Sequence, residues 1–210
     1  MFVTCWSAKG GSGTTVVAAA LATMLAEGAG SALLVDLGGD LPAALGLPEP
    51  GHGLTGWTAG DDLGPLEVQA GPRLRLLPRG PGWLGEQIGP ALAEALSTRG
   101  TVVADAGLVG GPAPNEVGID LALAATVSLL VLRPCFLGLR RAVASPLRPT
   151  GVVLVEEADR SLGQADVEAA LGVPVVAVVP WDSAVARRVD SGLLGSALPR
   201  GLARALRRAA

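Results

Sequence analysis

The segment Lys9-Gly10-Gly11-Ser12-Gly13-Thr14-Thr15 has the strongest chemical character in this 210-residue chain. Glycines at 10, 11 and 13 let the backbone curl so that successive N–H groups converge on one point. An apolar run, residues 2–6, leads into the loop, and an Ala-rich run starting at Thr14 follows it. A donor-lined loop that opens a helix suits phosphate oxygens, because the helix end adds unpaired N–H groups and its dipole. Thr15 then places a hydroxyl where it would ligate Mg²⁺ held by those phosphates. Asp36 and Asp105 each follow an apolar run. Carboxylates at the carboxyl ends of parallel strands face the ligand crevice, so both are expected to reach the metal or its waters. The plain alternatives are an ordinary Gly-rich turn for the loop and cap or loop carboxylates for the two aspartates.

Lys9 is the only lysine among 16 basic residues. In a chain that otherwise uses arginine, a lone lysine fits a site where a compact ammonium works and a planar guanidinium does not. Chance is the other explanation.

These residues need a frame. Short Val- and Leu-rich runs recur at 2–6, 31–35, 74–77, 101–104, 127–132, 152–155 and 174–179, mostly separated by Ala/Leu segments of helical length. That alternation predicts an α/β fold, a mostly parallel sheet of about seven strands with helices on both faces. Residues 14–27 form the clearest helix, apolar almost all round, with Gly28 and Gly30 terminating it. Residues 38–82 read as a long excursion with one short helix near 54–59, and residues 110–114 as a turn-rich loop. One domain is expected over 1–210.

Composition narrows the class. Half the residues are hydrophobic, yet Gly, Pro or charge breaks every apolar run before the roughly 20 residues that a membrane span needs. The amino-terminal run lacks a basic segment ahead of it and a cleavage site behind it, so a cytoplasmic location is expected. The two cysteines, Cys5 and Cys135, make no disulfide framework or Cys-x-x-Cys pair and read as small buried thiols. A net charge of −3 argues against a whole-molecule grip on nucleic acid. Trp57, Trp83 and Trp181 read as packing or loop anchors, since no basic residues interleave with them. His52 has no partner motif.

Lys-Gly-Gly-Ser-Gly-x-Thr, then Leu-Leu-Val-Asp, Val-Val-Ala-Asp-Ala-Gly and Val-Val-Pro-Trp-Asp, taken in order, resemble the MinD/ParA superfamily of deviant Walker A ATPases. The resemblance covers nearly the whole chain. Within it, a residue other than lysine after the second loop glycine and the Ala-rich body are most similar to the CpaE/TadZ branch of pilus assembly and polar placement. The resemblance implies ATP or ADP with Mg²⁺ as ligands and a nucleotide-linked homodimer that positions a partner complex. In it Lys9 would cross to a phosphate of the partner subunit. The chain around Pro180 and Asp182 would hold the adenine.

Three positions depart from the superfamily pattern. Thr14 replaces the second loop lysine, so a neutral hydroxyl stands where charge neutralises the β- and γ-phosphates. Gly38 replaces the aspartate that orients the attacking water; Asp40 is the candidate stand-in, with shifted direction and reach. Glu156 replaces the asparagine that reads the adenine edge, and a carboxylate offers no amide donor. Slow or absent hydrolysis follows as the expectation. A pseudo-ATPase scaffold and a P-loop metabolic synthetase are the alternatives.

The tail, residues 200–210, puts Arg200, Arg204, Arg207 and Arg208 on one helical arc and Leu202 and Leu206 opposite. Two leucines bury too little area for firm lipid binding, so packing on the domain is the preferred reading. A weak contact with the inner membrane surface is the alternative.

Overall fold

The computed structural model describes residues 1–110 and 115–209. Eight strands form one sheet: β1 (Phe2–Ser7), β2 (Ala32–Asp36), β3 (Val68–Gly71), β4 (Leu74–Leu77), β5 (Val102–Leu108), β6 (Val127–Leu132), β7 (Gly151–Glu156) and β8 (Val175–Pro180). Their spatial order is β3-β4-β2-β5-β1-β6-β7-β8, parallel throughout except for β3 against β4. Seven of the eight match the apolar runs to within a few residues. The eighth, β3, is a half-exposed edge strand whose Val-Gln-Ala-Gly sequence carries no apolar run to announce it.

All six residues of β1 are buried, as are all five of β2. A strand buried on both faces needs helices above and below it, which is why the sequence shows continuous apolar runs instead of alternation. On one face Leu92 and Leu96 of α3 (Gly89–Ser97), Val117 and Leu121 of α4 (Glu116–Ala124), Ala142 of α5 (Phe136–Val143) and Val167 of α6 (Gln164–Leu171) pack in one core. On the other lie Val17 and Leu21 of α1 (Thr14–Ala29), Leu41 and Leu45 of α2 (Leu41–Leu45), and Leu202 and Leu206 of α8 (Arg200–Leu206). Each fully buried leucine contributes about 1.5–3 kcal/mol.

Alanine dominates α1 because it is the best helix former and its short side chain lets the helix lie close to the sheet. Gly28 lies inside this helix, and Gly30 alone ends it, at φ 86° in the left-handed region. Residues 38–82 hold more structure than one short helix: α2, single 3-10 turns at Leu54–Gly56 and Gly64–Leu66, and β3. Pro42 in the first turn of α2 looks like a breaker in sequence, but helices accept proline there. Of the predicted loop at 110–114, residues 111–114 lie outside the described residues.

The turn after α2 meets the turn after α7 (Ser183–Asp190) backbone to backbone. A side chain on either Gly46 or Gly192 would collide with the other's main chain, and Leu194 N–H donates to the Ala44 carbonyl at 3.3 Å.

Helix α8 packs through its Leu/Ala side: Leu202, Leu206 and Ala209 are buried, whereas Arg200, Arg204, Arg207 and Arg208 are exposed. No helix among the described residues is long and apolar enough to cross a membrane. Leu206→Ala is expected to cost about 2–5 kcal/mol in urea unfolding, because it empties a filled core position. Deleting residues 200–210 should lower the melting temperature in water; an unchanged melt with loss of binding to anionic vesicles would instead assign the helix to a lipid surface.

Candidate functional site

β1 delivers the chain to the carboxyl edge of the sheet at Ser7, and α1 resumes at Thr14. Between them Gly11 and Gly13 have φ of 76° and 91°, a region that side-chain-bearing residues rarely enter. The Ser12 hydroxyl donates to the Lys9 carbonyl at 2.7 Å and closes the loop on itself. A Cβ on Gly10 or Gly11 would meet nothing within 4 Å, so the outer face of the loop is open. α1 begins with no side-chain cap and no acidic residue in its first turn. Its amino end therefore keeps its N–H donors and the positive end of its dipole for an external anion.

Asp36 and Asp105 face each other across β2 and β5, paired in register, and both are fully buried. The surroundings of the two differ. Asp36 accepts from Gly39 N at 2.7 Å and Leu41 N at 3.3 Å, so it shapes the loop into α2. Asp105 Oδ1 accepts from Gly107 N at 3.0 Å, while its buried Oδ2 has no hydrogen-bond partner of normal geometry among the described residues, the Thr15 hydroxyl lying close to the carboxylate. Burial pushes the Asp105 carboxyl up to about 7, opposed by the nearby Thr15 hydroxyl and reinforced by the Asp36 charge. Burial likewise raises Asp36 to about 6, against the loop amides, with Asp40 adding like charge. The sequence placed Asp105 at the end of its strand, whereas β5 runs on through Leu108, so the side chain reaches the edge from within the sheet.

Lys9 is part-exposed, and among the described residues its ammonium meets the carbonyl of Gly10, at 3.5 Å. Thr14 is buried and Thr15 half-buried. Asp40 stands exposed at the start of α2 without capping it, yet it is close enough to raise both buried aspartates. Pro180 closes β8, and Asp182 caps α7 by accepting from Ala184 N at 2.7 Å. Gly13, Val16, Val155, Val179, Trp181 and Val185 line an apolar cleft of about 210 Å³ beside the loop. Glu156 is exposed at the end of β7, and its carbonyl accepts from Trp181 N.

Two arginines reach the same edge. Arg79, after β4, donates to the carbonyls of Gly38 at 3.3 Å and Gly82 at 2.9 Å. Arg133, after β6, donates to the Gly11 carbonyl at 3.3 Å, pairs with Glu157 and lies 5.0 Å over the Trp181 ring. Sequence reasoning missed both because no local pattern links positions so far apart; for Arg133 a charged residue directly after a buried parallel strand was the available signal. Of the tryptophans, Trp57 is a buried anchor whose indole donates to the Asp61 carbonyl at 3.0 Å. Trp83 is 91% exposed and anchors nothing, and Trp181 is half exposed beneath Arg133. Cys5 is buried as expected, whereas Cys135 is only half buried and caps α5 by accepting from Gly138 N at 3.3 Å.

Comparison with known proteins agrees with this geometry. The septum site-determining protein MinD complexed with Mg-ADP from Pyrococcus horikoshii superposes with a TM-score of 0.79 at 20% identity, covering 97% of this chain and 91% of that one. The cell division ATPase MinD of Pyrococcus furiosus gives 0.79 at 22% identity, covering 100% and 99%. A ParA family ATPase from Chlorobium tepidum gives 0.69 at 22% identity, covering 98% and 95%. No curated protein matches the chain in sequence. These likenesses share the fold, and the family model for the CobQ/CobB/MinD/ParA nucleotide binding domain matches residues 3–194. With the glycine loop, the buried aspartates and the parallel sheet all inside that span, the chain belongs to the CobQ/CobB/MinD/ParA nucleotide-binding domain family.

Proposed function

We propose that this chain is a nucleotide-binding switch of the MinD/ParA type that holds ATP or ADP with Mg²⁺, dimerises around ATP to position a partner complex, and turns ATP over slowly or not at all. The supporting observation is the meeting, at one edge of the sheet, of an open glycine loop, an uncapped helix end and a buried carboxylate oxygen without a partner. Among the described residues no three His, Cys, Asp or Glu side chains gather to hold a metal by themselves. That suits Mg²⁺, which takes one or two carboxylates, keeps waters and shares phosphate oxygens. Asp105 and Thr15 are the proposed direct contacts, with Asp36 acting through the loop it holds. When bound, the ion neutralises phosphate charge. Gly10 to Thr15 hold the phosphates, Pro180 and Asp182 border the base, and Lys9 serves the partner subunit's phosphate. MinD is found with MinC in a solved complex from Aquifex aeolicus, which suggests a protein partner of the same kind here. Cell division, partition and pilus assembly of the CpaE/TadZ type are the candidate settings.

A pseudo-ATPase scaffold is the second reading, favoured by the neutral Thr14 and by Asp36, whose oxygens both serve backbone amides. Calorimetry with ATP and ADP, alongside phosphate release and oligomer mass, separates the two. Binding and ATP-dependent dimers with measurable release support the cycling switch; binding without release supports the scaffold; no binding sinks both. Thr14→Lys should tighten triphosphate binding more than diphosphate binding. Adding Gly38→Asp, whose Cβ would meet Asp36 Oδ1 at an ordinary 3.8 Å, should be needed for appreciable turnover. Two missing contacts of this type cost on the order of 10²–10³ in rate each. Lys9→Arg is expected to impair ATP-linked dimerisation nearly as much as Lys9→Ala, measured by light scattering.

Both buried aspartates hold protons more tightly folded than unfolded, where their value is 3.8. Their contribution to stability is thus full below about pH 4 and lost as pH climbs through about 6 and 7. Asp105→Asn should remove the Asp105 part, on the order of 2–4 kcal/mol in favour of the mutant at pH 8 in ligand-free unfolding. The same variant should abolish the Mg²⁺-dependent part of nucleotide affinity. A mutant less stable than the wild type at pH 8 would refute the electrostatic assignment.

A further inference from the structure

Within the phosphate loop Lys9 carries the charge, and Thr14 stands where a second lysine would. Thr14 is neutral and buried, Lys9 among the described residues meets the Gly10 carbonyl, and Arg79 donates to the carbonyls of Gly38 and Gly82 on the far side. Among the described residues, Arg133 is the cation that lies against the loop from the side of the apolar cleft. Its guanidinium donates to the Gly11 carbonyl at 3.3 Å, pairs with Glu157 and lies 5.0 Å over the Trp181 ring, a wall of that cleft. The Arg133 side chain is 32% exposed, and an ion pair so near solvent contributes little stability. Stability therefore does not explain why one cation joins the phosphate loop to the cleft wall.

We infer that Arg133 is the phosphate-contacting cation of this site, paired with Glu157 when no nucleotide is bound and turning to a phosphate oxygen of a nucleoside di- or triphosphate when one is. This rests on the proposed nucleotide site. Three features fit the exchange. A guanidinium has five donors in a planar fork, so it can keep the Gly11 carbonyl while it takes a phosphate oxygen. Glu157 is not stranded by the move, because Arg160 Nε already donates to it at 2.7 Å. Stacking on Trp181 holds the guanidinium plane while its edge changes partner. No bond is made or broken; one ion pair replaces another.

The 210-residue chain carrying Arg133→Gln, Arg133→Lys or Glu157→Gln is to be titrated calorimetrically with adenosine, ADP and inorganic pyrophosphate in the presence of Mg²⁺. Arg133→Gln should weaken ADP and pyrophosphate about 10- to 100-fold, the loss of a charge-assisted hydrogen bond, and leave adenosine nearly unchanged. Arg133→Lys should restore part of the loss. Glu157→Gln should tighten ADP several-fold, because the resting partner no longer competes; an arginine that only braces the wall would give weakening instead. Should Arg133→Gln fail to fold, as judged by circular dichroism, Glu157→Gln decides alone. Wild-type binding with unchanged or weakened ADP affinity in Glu157→Gln overturns this inference and leaves the nucleotide site standing, as does an unchanged Arg133→Gln. A wild type that binds none of the three ligands removes both.

Discussion

Burial of the first strand on both faces is the constraint from which the rest of the molecule follows. With all six residues of β1 shielded, neither face can meet water, so β5 and β6 must flank it and helices must cover it above and below. Parallel neighbours bring their carboxyl ends to one edge. Backbone donors inside the sheet are consumed by the ladder, whereas at that edge the uncapped amino end of α1 has donors left over. The glycine loop, both aspartates and both arginines gather there because the sheet leaves polar groups no other place so close to the central strand.

The edge is electrically unusual. Two carboxylates stand side by side in the core, one satisfied by loop amides and one left with an open oxygen, while the residue that in the superfamily pattern would bring a positive charge is a buried threonine. For stability alone such a fully buried carboxylate is a cost, since desolvation of the charged form outweighs the contacts that Gly107 and Thr15 offer it. Its retention beside an uncapped helix end is consistent with a ligand that brings both a cation and an anion together. A Mg²⁺-bound polyphosphate is such a ligand, and it would compensate the carboxylate and the helix end at the same time.

Sequence showed the frame more readily than the site. Apolar runs buried on both faces are continuous, so β1, β2, β4 and β6 could be placed within a residue or two, and the glycine loop announces itself through residue type and spacing. Short and edge elements were opaque for definite reasons. β3 is half exposed and short, and α2 conceals its first turn behind Pro42, a residue more often read as a stop. Asp36 and Asp105 look equivalent in sequence, and only the loop geometry separates one bound by amides from one with a free oxygen. Arg133, Glu157 and Trp181 belong to the ends of three different strands, and such a cluster forms only once the order β6-β7-β8 is known. The tail followed its helical pattern because Leu202 and Leu206 had an obvious core to join.

Gly46 and Gly192 add a mechanical link. The turn after α2 and the turn after α7 touch main chain to main chain, too closely for any side chain between them. α2 is the continuation of the loop shaped by Asp36, and α7 is capped by Asp182, next to the tryptophan under Arg133. The loop held by Asp36 and the chain beside Trp181 are thus joined a second time, by a backbone contact on the α1 side of the sheet. A shift of either turn must carry the other with it or break that contact, and only glycine at both positions lets the two main chains lie so close.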